Sequence, residues 1–222
     1  MNRRFLTQCL LTLAASASFL AALPVYAADE APDALISRLT KDALDTIQAD
    51  PAVQAGNVSR IMEMVDDKVM PHVNFQRMTA SAVGPGWRQA TPEQRKRLEI
   101  EFKTLLVRTY AGAMSQAKNL SFEVKPVRAA SDDKEVTVRT LIKGRGDPAQ
   151  LDYKMEKTPG VGAGWKVFNL NVMGVWLVDT YRSQFAQEIN AKGIDGLIAT
   201  LSERNKANAA GAPAKTDKPV KS

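Results

Sequence analysis

The apolar residues of this chain change period twice, and that switch limits the folds open to it. Residues 32–117 carry helical spacing. Leu35, Leu39, Ala43 and Ile47 recur every four residues, and Val58, Ile61, Val65 and Val69 do so nearly as regularly up to Pro71. A short helical piece around Phe75 and Met78 follows, and Gly84-Pro85-Gly86 interrupts the chain. Thr91-Pro92-Glu93-Gln94 predicts a capping box with proline at the first helical position, opening a helix lined by Leu98, Phe102, Leu105, Leu106, Thr109 and Ala113. Residues 119–175 then alternate. Phe122, Val124 and Val127 predict a first strand, and Val136, Val138, Thr140 and Ile142 a second. Leu151, Tyr153 and Met155 predict a third, and Phe168, Leu170 and Val172 a shared face of a fourth, ended by Gly174. Helical spacing returns at Val178, Tyr181, Phe185 and Ile189. Gly193 fits a stop, and Ile194, Leu197, Ile198 and Leu201 line a last helix. Helices, four strands, then helices is an α+β order with an antiparallel sheet. Without βαβ alternation, a doubly wound sheet is disfavoured.

The two ends read differently. Arg3 and Arg4 precede a mostly apolar run from Phe5 to Leu23, and Val25-Tyr26-Ala27 closes it with small residues where a signal peptidase reads. Residues 1–27 are therefore expected to be a cleaved secretory signal, placing the mature protein in the periplasm. The short apolar core argues against a retained anchor, and the Arg-Arg pair leaves a twin-arginine route as the alternative. Cys9 is the one cysteine of the chain and lies within this segment, so residues 28–222 hold no thiol for a disulfide, soft metal site or nucleophile. Residues 206–222 are rich in Ala, Lys and Pro, carry four lysines, and are expected to form a disordered basic tail. The body, residues 28–205, is left nearly neutral although the whole chain is +6, which is not the electrostatic footprint of a nucleic-acid binder.

Catalysis needs polar groups converging on a pocket, and few are on offer. His72 is the one histidine, no serine sits in a nucleophile elbow, and histidine or cysteine zinc sites are excluded by counting. Asp66-Asp67 are adjacent on a helix and point apart. Gly144 to Gly146 and Gly160 to Gly164 read as hairpin loops, with no phosphate-cradling pattern. Arg95-Lys96-Arg97 reads as a solvated helix face. Methionines, by contrast, are plentiful at apolar positions: Met62, Met64, Met70, Met78, Met114, Met155 and Met173. They suit either core filling or a pocket for variable acyl chains, and composition does not separate the two.

Three stretches carry a family resemblance. Val69-Met70-Pro71-His72-Val73-Asn74-Phe75 leads to Gly86-Trp87-Arg88-Gln89-Ala90-Thr91-Pro92-Glu93-Gln94-Arg95. Phe102 to Tyr110 is the second. Gly164-Trp165-Lys166-Val167-Phe168, Gly174-Val175, Tyr181 to Phe185 and Gly193 to Leu197 make the third. In order and spacing, over roughly residues 30–205, the chain resembles the MlaC or toluene-tolerance family of periplasmic phospholipid-binding proteins. The resemblance implies an NTF2-like curved four-stranded sheet packed against N- and C-terminal helices, with an apolar cavity between. It implies a carrier, not an enzyme. Such a carrier has no cofactor beyond phospholipid as cargo, is a monomer, and exchanges lipid with an inner-membrane ABC transporter complex and an outer-membrane lipoprotein complex. The lipid is expected between the sheet residues Val138, Tyr153, Met155, Phe168, Leu170 and Val172 and the helical residues Phe75, Met78, Leu105, Leu106 and Tyr110. Two positions depart from the family pattern: Asn169, where an aspartate is usual, and Trp176, where a small residue is usual and a large ring is expected to reshape the cavity. The competing readings are a small periplasmic isomerase or hydrolase, with Tyr110 and Tyr153 as its available polar pair, and a solid adaptor that binds no lipid.

Overall fold

A computed structural model describes residues 30–209 apart from residues 118, 131, 145 and 146. The expected signal, residues 1–27, and most of the expected tail lie outside the described residues.

The helices start where the local chemistry predicts. α1, Pro32–Ala49, opens on proline with Asp33 in its first turn. Asp50 caps the short α2, Pro51–Gln54, and Asn57 caps α3, Val58–Met64. α3 runs into a π turn, Val65–Val69, and a 3₁₀ turn, Met70–His72. Pro71, which cannot donate to an α-helical bond, sits in that changed geometry. α4, Phe75–Val83, is capped by Asn74, and α5 is the single turn Gly86–Gln89. α6, Pro92–Ser115, has both arms of its capping box. Gln94 N donates to Thr91 Oγ1 at 3.2 Å, and Thr91 N donates to Gln94 Oε1 at 2.9 Å.

The sheet is an antiparallel meander in the order β1-β2-β3-β4-β5. Its strands are Ser121–Val124, Glu135–Lys143, Ala149–Lys157, Trp165–Val172 and Val175–Trp176. Five strands replace the four expected. Met173 and Gly174, both at positive φ, reverse the chain so that Val175 pairs with Val172. Val127 falls beyond β1 but still packs on the interior. β5 pairs with the C-terminal end of β4. The N-terminal half of β4 is covered instead by Val73, which bridges Val167, and by Asn74 N, which donates to Val167 O at 2.8 Å.

α7 spans Leu177–Ala209 and breaks at Gly193, whose φ of 70° and ψ of −174° suit glycine. It passes the expected boundary at 205, so Lys206–Ala209 are helical. Asn205 is the physical reason: only 5% exposed, it donates from Nδ2 to Glu101 O at 2.9 Å and ties this last turn to α6.

The interior divides into three apolar clusters. One joins α4, α6 and α7 around Phe102, Phe185, Leu98 and Ile198. The second joins the end of α1 with α2, α3 and the far end of α6 around Ile47, Val53, Ile61 and Val107. The third presses Leu35 and Ile36 of α1 onto Val138, Met155, Trp165 and Val167 of the sheet. A domain of this size more often builds one contiguous core.

Candidate functional site

Strand register decides which side chains face the helices. Phe122 opposes Ile142, Val136 opposes Met155, Val138 opposes Tyr153, and Thr140 opposes Leu151. Leu151 opposes Val172, Tyr153 opposes Leu170, and Met155 opposes Val167. Direct partners share a face, so these residues form the inner face under α1. The outer face is polar, with Glu135, Thr137 and Arg139 of β2 and Gln150, Asp152, Lys154 and Glu156 of β3.

The inner face is unevenly filled, and Tyr153, on the central strand, stands at the divide. On one side Val138, Met155, Trp165 and Val167 are at most 8% exposed, locked beneath α1. On the other side Phe122, Ile142, Leu151, Leu170 and Val172 are half-buried, although Thr140 among them is fully buried. Leu106 and Tyr110 of α6 are half-buried too and pack beside the same cluster as Leu170 and Val172. Met62, Val69, Met70 and Met114 flank the second cluster in the same condition. These residues make a band of incompletely covered apolar surface between the three clusters.

The two inner tyrosines describe the surroundings of that band. Burial pushes the Tyr153 phenol up to about 12, although the Thr40 side chain hydrogen-bonded to it acts the other way. Tyr153 nevertheless retains accessible surface. Burial also raises the Tyr110 phenol. Both hydroxyls therefore stay protonated near neutral pH, which makes them poor general bases.

The structure brings together six of the twelve residues expected from sequence: Phe75, Leu106, Tyr110, Tyr153, Leu170 and Val172. Phe75 is half-buried, 5.7 Å from Phe102 in an aromatic group completed by Tyr181 and Phe185. Four others are core. Met78 and Leu105 are each 5% exposed in that cluster. Val138 and Met155 are fully buried in the third cluster. Phe168 and Trp176 lie on the outer side. A bulge between Lys154 and Met155 turns Phe168 outward, where the Arg77 guanidinium stacks 3.6 Å from its ring centre. There Phe168 lines an open pocket of about 310 Å³ with Glu135, Thr137 and Lys154. Trp176 pairs with Asn171, and Lys154 Nζ lies 4.5 Å from its ring, so Trp176 does not narrow the interior. Asn169 is buried, and its Oδ1 accepts from Val178 N at 3.2 Å at the start of α7. Phe122, Ile142 and Leu151, outside the twelve, also belong to the band. Their alternation was legible, but their partial exposure was not.

A charged pocket of about 400 Å³, lined by Arg77, Asp132, Asp133, Lys134, Glu135, Glu156, Lys157 and Pro159, lies apart from the band. Among the described residues no group of three or more His, Cys, Asp or Glu could hold a metal ion, and no helix is long and apolar enough to cross a membrane.

Fold and site together define a class: an α+β domain whose single meander sheet is covered by helices on one face, over an apolar and unevenly filled interior. Residues 37–203 match the family described as MlaC protein, and the chain belongs to that family. It is 27% identical over 179 residues to the toluene tolerance protein ttg2D of Pseudomonas putida, covering 79% of this chain and 81% of that one. It is 22% identical over 178 residues to the intermembrane phospholipid transport system binding protein MlaC of Haemophilus influenzae, covering 79% and 83%. Among solved structures it is similar to the phospholipid-binding protein from Ralstonia solanacearum in complex with a phospholipid. That match has a TM-score of 0.76 and 42% identity, and covers 81% of this chain and 99% of the other.

Proposed function

We propose that this protein is a periplasmic phospholipid carrier, delivered by the N-terminal signal, that shuttles lipid between an outer-membrane lipoprotein complex and an inner-membrane ABC transporter complex and so maintains outer-membrane lipid asymmetry. The observation that supports this most is the 42% identical structure solved with a phospholipid, which aligns over nearly its whole length. The half-buried band supports the reading on physical grounds. A phospholipid tail exposed to water loses about 0.8 kcal/mol per CH₂, so a carrier must present apolar surface that the empty protein has not already filled. Leu106, Tyr110, Leu151, Leu170 and Val172 present such surface; Val138 and Met155 do not. Lipid moving between comparably apolar surroundings needs little net work, which suits a shuttle without chemistry of its own.

Organic extraction of the purified protein followed by mass spectrometry tests the reading. Phospholipid is expected; its absence favours the adaptor, and a small metabolite the enzyme. Leu106→Glu tests the location. A carboxylate against acyl chains costs well above the ~1.4 kcal/mol of a tenfold change, so co-purifying lipid should fall at least about tenfold in a folded variant. Unchanged lipid would place the chains elsewhere. A charge at Val138, fully buried, would test folding instead.

A further inference from the structure

α1 serves two clusters. Leu35, Ile36 and Leu39 pack on the sheet, whereas Leu44 and Ile47 pack on α3 and α6. Thr40 stands between these two sets, at the point where α1 leaves the sheet. Its side chain meets the Tyr153 phenol, which rises from the middle of the central strand between Val138 and Leu170. Behind this contact Met155 and Val167 of β3 and β4 are buried. In front of it Leu151, Leu170 and Val172 are half-covered, with Thr140 of β2 buried beside them.

We propose that Tyr153, braced by Thr40, is the end wall of the acyl-chain site and sets the length of chain the protein accepts. The proposal rests on the carrier reading. It follows from where filled and unfilled surface meet. A chain lying along Leu151, Leu170 and Val172 toward the third cluster meets the Tyr153 ring before it meets anything that could yield. Met155 beyond it and Val138 beside it are 0% exposed and held by Leu35 and Ile36. A close-packed interior of this kind does not open for an extra methylene without cost. Nor does the ring swing aside freely, since its hydroxyl would surrender the Thr40 bond in a buried setting. The wall is therefore a single flat side chain, and removing it lengthens the site without touching the lining in front of it.

The test is the chain-length profile of phospholipid co-purifying with full-length protein, read by mass spectrometry. Tyr153→Val, a β-branched replacement suited to a strand, should shift the profile toward longer chains than the wild type carries. Tyr153→Phe keeps the ring and should leave the profile in place. The same profile in all three proteins would overturn the proposal, as would an equal shift in Tyr153→Val and Tyr153→Phe, which would assign the effect to the hydroxyl. If Tyr153→Val does not fold, lipid-stripped wild type offered phosphatidylethanolamines of increasing chain length decides. A sharp upper limit in bound lipid supports the wall, and uptake independent of length refutes it. Wild-type protein that takes up no phospholipid at all would instead strike at the carrier reading.

Discussion

Arg77 joins the helical layer to the sheet, and removing it should cost a predictable amount. Its Nη1 donates to Glu156 at 2.5 Å and its Nη2 to Glu135 at 2.6 Å, while the guanidinium covers the bulged Phe168 at 3.6 Å. Asn74, the cap of α4, donates from Nδ2 to the other oxygen of Glu156 at 2.5 Å. The arms differ in value. The Glu135 side chain is 53% exposed, so that bridge contributes about 0.5 kcal/mol. Glu156 is 19% exposed, and a charged hydrogen bond there contributes ~1.5–2 kcal/mol after discounting for an arginine that is itself 33% exposed. Stacking on Phe168 adds ~0.5–1 kcal/mol. Arg77→Ala should therefore destabilise the fold by about 3 kcal/mol. In a domain of this size each kcal/mol moves Tm by ~2–4 °C, so thermal unfolding followed by circular dichroism should show a fall of about 6–12 °C. Arg77→Lys keeps the charge but loses the fork and should recover about half. Because this contact lies on the outer side of the sheet, the amount of bound lipid should not change. A fall below about 2 °C, or a lysine variant as stable as wild type, would refute this account of how α4 is fastened.

Two further expectations concern single residues. Gly193 combines φ 70° with ψ −174° and has open space where a Cβ would sit, so Gly193→Ala meets backbone strain and no clash. It should lower stability by ~1–3 kcal/mol and Tm by several degrees, and an unchanged Tm would mean the break in α7 moves freely. His72 is held below the ordinary 6.5, first by burial and then by the nearby positive charge of Arg38. A depressed histidine favours the neutral form of the folded state. Its contribution to stability is complete above pH 6.5 and is lost as pH falls through the folded value. Proton NMR of the chain's one imidazole should give a midpoint below 6.5; a midpoint at or above that value contradicts the burial.

Helix starts were legible because they are local. The Thr91–Gln94 capping box and the proline openings of α1 and α6 need no information from beyond one turn. The period-2 runs of β2 and β3 were legible for the same reason, as was the α+β class that follows from the order of periods. β5 was not, since two residues cannot display a period, and Val175–Trp176 becomes a strand through pairing with β4. Nor was the helicity of Lys206–Ala209, which depends on Asn205 meeting Glu101 across sequence.

The candidate site divides along the same line. The alternation of β4 puts Phe168 with Leu170 and Val172, and one bulged residue in the tertiary sheet sends it outward under Arg77. Trp176 is a large apolar ring in any reading of the chain, and its pairing with Asn171 puts it beside Lys154 on the outer side. Sequence by itself determined which residues are apolar and with what period, because those are properties of neighbours along the chain. Tertiary structure decided which of them are packed solid, as Val138 and Met155 are, and which stay half-covered, as Leu106 and Leu170 do. Burial depends on what other segments bring to the same place, and only the folded chain brings α1, α6 and the sheet together.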